Sequence, residues 1–123
     1  MGVLLQCIQM ARARKGNRMT VQQIQDLLAA IDPDVHHYDC ATDGSNFTVW
    51  MEYQRTVFYA DDGSAELSWK FEVDRYTKDE YDPIVGRIEQ ALMACENVTL
   101  KPRTVQYDQM TGYIRHIFDC VGI

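Results

Sequence analysis

The sequence predicts an α+β fold, a mainly antiparallel sheet with a long central hairpin and two helices packed on one face. Three observations predict it. Two stretches, near 20–31 and 79–95, carry apolar residues at helical spacing. Two long stretches between them alternate with a period of two around the turn signal Asp61, Asp62, Gly63. The order is helix, short strand, long hairpin, helix, terminal hairpin, and strand runs separated by helices suit helices segregated to one face of a sheet. With 123 residues, 46% apolar and 24% charged, the chain is one folded domain with a core of its own. No apolar run approaches the ~18 residues of a membrane-spanning helix. There is no internal repeat, low-complexity tract or linker.

Residues 1–18 stand apart from the rest. Leu4, Cys7, Ile8 and Ala11 fall at helical spacing, which allows a short N-terminal helix. The positive charges follow the apolar stretch, the reverse of a secretory signal. Gln6 occupies the position where myristoylation needs Ser or Thr. Lys15 and Gly16 require the codons AAR-GGN, a purine-rich stretch just before Met19 that resembles a bacterial ribosome-binding site. Two readings stay open: a basic N-terminal arm, or translation that starts at Met19. The domain proper spans 19–123.

Thr20 and Gln23 have capping-box spacing, and Ile24, Leu27, Leu28 and Ile31 follow as one stripe, ended by Asp32 and Pro33. Val35 to Cys40 reads as a short strand and Asp43 to Ser45 as a turn. Phe47, Val49, Met51 and Tyr53 then alternate with Thr48, Trp50, Glu52 and Gln54. Ala65, Leu67, Trp69, Phe71 and Val73 alternate with Glu66, Ser68, Lys70, Glu72 and Asp74, giving one buried and one charged face. Thr77 and Glu80 form a second capping box ahead of a helix over about 79–95, with Pro83 in its first turn. Val98 to Tyr107 is strand-like, with Pro102 marking an edge or bulge. A loop at Asp108–Gly112 leads to a last strand over about 113–121, where Ile114, His116, Phe118 and Cys120 share a face.

The formal charge of −6 is uneven. Arg12, Arg14, Lys15 and Arg18 give residues 1–18 a charge of +4, leaving 8 of the 12 basic and all 18 acidic residues, net −10, in the body. Such a body repels phosphate and is ill suited to gripping DNA or RNA by its backbone. Cys7, Cys40, Cys95 and Cys120 include no C-x-x-C pair and are too sparse for a disulfide framework, so they read as reduced, buried side chains.

Catalytic chemistry finds little support. His36, His37, Asp39 and Cys40 resemble a metal cluster, but on a strand His36 and Cys40 lie ~13 Å apart, whereas zinc ligands converge within ~2.0–2.3 Å of one ion. No nucleophile elbow, P-loop or dinucleotide fingerprint is present. Asp61 and Asp62 read as a turn, Glu72 and Asp74 as a solvated strand face, and Asp79, Glu80 and Asp82 as charges favoured at a helix N-terminus. Gly86, inside a helix, suggests close packing. No cofactor or metal is expected, and neither is enzymatic activity. Trp50, Tyr53, Phe58, Tyr59, Trp69, Phe71 and Tyr76 crowd the hairpin, so both of its faces carry aromatic groups. One face packs on the helices and the other suits a subunit interface.

These elements in this order resemble small tail-terminator or tail-completion proteins of long-tailed bacteriophages. The stretches that carry the resemblance are YADDG at 59–63, VDRYTKDEYDPIVGRIEQAL at 73–92 and QYDQMTGYIRHIFDCVGI at 106–123. It covers about residues 19–123 and is a similarity of pattern, with no invariant catalytic signature. It implies a structural virion protein at the head–tail junction, assembled in the bacterial cytoplasm. Its subunits would form a homo-oligomeric ring, commonly a hexamer, on the major tail tube protein. That ring would end tube polymerisation, meet the head-side connector and pass genomic DNA through its lumen without specific binding. By position, Trp50, Glu52, Asp61, Asp62, Gly63, Ser64, Tyr107 and Tyr113 are the expected ring or tube contacts. The alternatives are another neck component, such as a head-closure or head–tail joining protein, and a small phage-encoded protein that binds a host factor.

Overall fold

The computed structural model describes residues 19–39, 44–59 and 65–123. The N-terminal arm and the short helix expected within 1–18, Cys7, Cys40, Asp43 and the turn expected at Asp61–Ser64 lie outside the described residues. The described elements are α1 (Val21–Ile31), β1 (Val35–His37), β2 (Phe47–Tyr59), β3 (Ala65–Thr77), α2 (Pro83–Ala94), β4 (Val98–Leu100), β5 (Thr104–Tyr107) and β6 (Ile114–Gly122). The sheet runs β1-β2-β3-β6-β4, and β5 pairs with β6 beyond the end of β4. Among the described residues only the β1–β2 pairing is parallel. The fold is therefore α+β with a mixed, mostly antiparallel sheet and a prominent β2–β3 hairpin.

Each helix begins where a side chain can satisfy its free N–H groups. At α1, Gln23 N–H donates to Thr20 Oγ1 at 3.1 Å and Thr20 N–H donates to Gln23 Oε1 at 2.8 Å, a complete capping box. Its stripe of Ile24, Leu27, Leu28 and Ile31 is buried. The second helix starts later than its sequence spacing suggests. Thr77 and Asp79 make a local turn, with Asp79 N–H on Thr77 Oγ1 at 3.1 Å. Asp82 is the N-cap, accepting from Ile84 N–H at 3.0 Å, and Pro83 is the first helical residue. Proline disfavours helical geometry in the residue before it, so α2 cannot begin at 79. Gly86 is exposed, and a Cβ there would meet nothing within 4 Å, so close packing does not explain it.

The core lies between the two helices and one face of the sheet. Register places Trp50, Val73 and Phe118 in one row, with Phe71 beside Cys120 in the next. These side chains join the α1 stripe and Val85, Ile88, Ala91 and Leu92 of α2 in a single buried cluster. Burying each large apolar side chain contributes roughly 1.5–3 kcal/mol. Trp50 Nε1 donates to Gln25 Oε1 of α1 at 2.7 Å, which removes the polar cost of burying the indole.

One ion network fastens both helices to the sheet. Arg75, on the helix-facing side of β3, is buried. Its Nη1 donates to Asp32 Oδ2 at 2.7 Å and to Thr48 Oγ1 at 3.2 Å, and its Nε donates to Asp82 Oδ2 at 2.9 Å. Asp32 is the C-cap of α1 and Asp82 the N-cap of α2. Burial raises the Asp82 carboxyl, but the Ile84 N–H and the Arg75 guanidinium outweigh it and hold the group below the usual carboxylate range.

Pro102 interrupts what reads in sequence as one strand from Val98 to Tyr107, dividing it into β4 and β5 around residues 101–103. The terminal strand runs one residue later than expected, 114–122. Cys95 is disulfide-bonded, against the expectation of four reduced thiols, whereas Cys120 is free and buried. Burial pushes the Cys120 thiol up to about 12.

Candidate functional site: the open face of the sheet

The face of the sheet turned away from the helices carries polar and aromatic rows. Register places Phe47, Tyr76 and Arg115 in one row, Val49, Asp74 and Ile117 in the next, and Met51, Glu72 and Asp119 in the third. Of these, Met51 is exposed, as is Tyr53 beside it.

At one end the rows make an aromatic basin. The Phe47 and Tyr76 rings stack with centroids 4.8 Å apart. Tyr113 stands edge-on to both, at 5.7 and 6.0 Å. Its hydroxyl is fixed by donating to the Ser45 carbonyl at 2.7 Å. The turn that delivers Tyr113 is built by Asp108, which accepts from Met110 N–H and from the Thr111 hydroxyl, both at 2.9 Å. Gly112, at φ +80°, closes that turn with its N–H on the Asp108 carbonyl at 2.8 Å. A cavity of about 580 Å³ opens above these rings, bounded also by Tyr38, Tyr107 and Arg115. That volume lies within the ~300–1,000 Å³ range of small-molecule and side-chain pockets.

Beside the basin is a carboxylate pair on one guanidinium. Arg115 Nη2 donates to Asp74 Oδ2 at 2.7 Å and to Glu72 Oε2 at 3.2 Å, and its Nε also reaches Asp74 Oδ2. Asp74 is only 6% exposed, so the charged face expected at Glu72 and Asp74 is not simply solvated. Burial raises the Asp74 carboxyl to about 7, with Glu72 adding to the shift and Arg115 opposing it. Tyr53 donates its hydroxyl to Asp119 Oδ1 at 2.7 Å, and this bond, with burial and the Asp119 charge, raises the phenol to about 12.

The edge strand holds a third group. His37 lies between two rings, with Tyr38 at 4.0 Å and Trp50 at 4.1 Å. Its Nε2 is 3.2 Å from Glu52 Oε2, and the Tyr38 hydroxyl donates to the other Glu52 oxygen. Tyr38 has φ +77°, a left-handed conformation rare for a bulky residue. It ends β1 and turns the chain toward the basin. His36 pairs with Asp34 instead, at 2.7 Å. Among the described residues no group of three or more His, Cys, Asp or Glu side chains could hold a metal ion.

The eight residues expected as contacts fall in different places. Trp50 is 1% exposed and faces the helices, so it is a core residue and presents no side chain to a partner. Glu52 is occupied by His37 and Tyr38. Tyr107 and Tyr113 line the same basin, Tyr113 as buried floor and Tyr107, 64% exposed, as rim. Asp61, Asp62, Gly63 and Ser64 lie outside the described residues. Sequence reasoning did not single out Tyr38 or Arg115 as site residues. A positive φ leaves no trace in local composition, and the pairing of Arg115 with Glu72 and Asp74 depends on the β3–β6 register.

A scan against protein-family models finds none that matches this chain, and a search of curated proteins finds no significant match.

Proposed function

We propose that the chain is a structural subunit of the tail-terminator kind. In this reading it forms a homo-oligomeric ring, commonly a hexamer, that caps a phage tail tube and joins it to the head-side connector. The observation that carries the proposal is the sequence resemblance over 59–63, 73–92 and 106–123. Two features of the fold support it. The helices cover only one face of the sheet, leaving Met51 and Tyr53 exposed on the other. The β2–β3 hairpin also outruns its neighbour. Pairing with β6 ends at Trp69, while β2 and β3 stay paired as far as Tyr59 and Ala65. A two-stranded ribbon is marginal alone in water, and this one leaves Val57 exposed, so a neighbouring subunit is a fitting cover. The −10 body suits a channel wall that DNA passes without being held.

The test is assembly with the major tail tube protein of the same phage. Light scattering on the mixture is expected to show a ring-sized complex bound to tubes, with tube growth halted. A chain that stays monomeric at high concentration and ignores tube protein overturns the proposal. Capture of the portal or adaptor in place of the tube assigns it to another part of the neck.

A further inference from the structure

We infer that the aromatic basin is a recognition pocket for a cationic side chain, an arginine or lysine presented by a partner protein. The chain's own cations already use these rings. Lys78 Nζ lies 4.8 Å from the centre of the Tyr113 ring, and the Arg115 guanidinium lies 5.6 Å from that of Tyr76. Ring faces attract cations through their quadrupoles, within ~6 Å of the centroid. Tyr38 and Tyr107 add two exposed rings at the rim.

The charges around the pocket favour the same occupant. Arg115 contributes no net attraction for anions, because Glu72 and Asp74 both sit on its guanidinium. Asp108 also lines the cavity. Its carboxylate accepts only from a backbone N–H and a hydroxyl among the described residues, so its negative charge is not cancelled by a paired cation. An anionic or phosphate ligand would meet the Asp108 carboxylate and the two carboxylates on Arg115, and a purely apolar one would leave Asp108 unused. The pocket's chemistry is independent of the tail reading, so its test needs no tube protein.

The probe is acetyl-Gly-Arg-Gly-amide, titrated into the full chain and followed by backbone amide NMR shifts, with the Leu and Glu versions as controls. The Arg probe is expected to give saturable shifts confined to residues around 47–49, 76 and 105–113, weakening as salt is raised. The Glu and Leu probes are expected to give none. Asp108→Asn keeps an acceptor for Met110 N–H but removes the charge, and should weaken the Arg probe about two- to fivefold, as should Tyr107→Ala at the exposed rim. The unchanged remainder of each variant's spectrum verifies its fold. Absence of saturable shifts with the Arg probe overturns the inference. So does equal binding of the Glu probe, or Arg binding that is indifferent to Asp108→Asn.

Discussion

Asp74 is buried in a central strand with Oδ2 on Arg115, while Oδ1 has no hydrogen-bond partner among the described residues. Protonation resolves this, because a neutral carboxyl can share its proton with Glu72. The folded chain therefore holds the Asp74 proton up to about 7, against an ordinary value of 3.8. An acid whose affinity for its proton rises on folding stabilises the fold fully below the unfolded value, and that contribution is lost as pH rises through the folded value. Stability from this group should fall between about pH 4 and 7. Urea unfolding of the wild type and Asp74→Asn at about pH 5 and pH 8 checks it, the variant being expected to lose that part of the pH dependence. An identical pH dependence in both proteins would refute the assignment. Gly122 tests packing at the same scale. A Cβ there would lie 2.9 Å from the indole of the buried Trp69. Gly122→Ala should cost about 1–3 kcal/mol in thermal or urea unfolding.

At the scale of elements, the Arg75 network decides how the helices sit. Removing one partner of a buried ion pair leaves the others charged and uncompensated, a loss of about 3–5 kcal/mol. Arg75→Met should reach that range in urea unfolding, and adding Asp32→Asn and Asp82→Asn should recover part of it. If Arg75→Met unfolds no more easily than wild type, the network does not fasten the helices. The sequence made the existence of these elements plain but not their relations. The Thr20 capping box and the β3 alternation are local, so they could be read directly. Which β2 face is the core could not. Phe47, Val49, Met51 and Tyr53 are the more apolar row, yet Trp50 faces the helices because β3 presents Val73 and Phe71 on that side. A register shift between Glu52 and Gln54 also changes the parity along β2, and no residue there signals it. The start of α2 depends on Pro83 and Asp82 overriding an equally good capping pattern at Thr77. The basin joins β2, β3 and the turn before β6, so the sequence points only to Tyr107 and Tyr113, which lie close together along the chain.

At the scale of the molecule, one covered and one open sheet face in an acidic body fit the proposed ring subunit. Among the described residues, the far end of the β2–β3 ribbon pairs with no further strand. Val57→Asp should leave the monomer folded, since Val57 is 51% exposed, and should weaken self-association about tenfold by sedimentation. Association that survives this change moves the contact away from the ribbon. A tail terminator occupies one place in the virion, so its location decides the proposal. Antibody labelling of particles under the electron microscope should mark a single band at the head–tail junction. Label elsewhere on the particle, or none on intact virions while the protein is abundant in infected cells, would contradict the account.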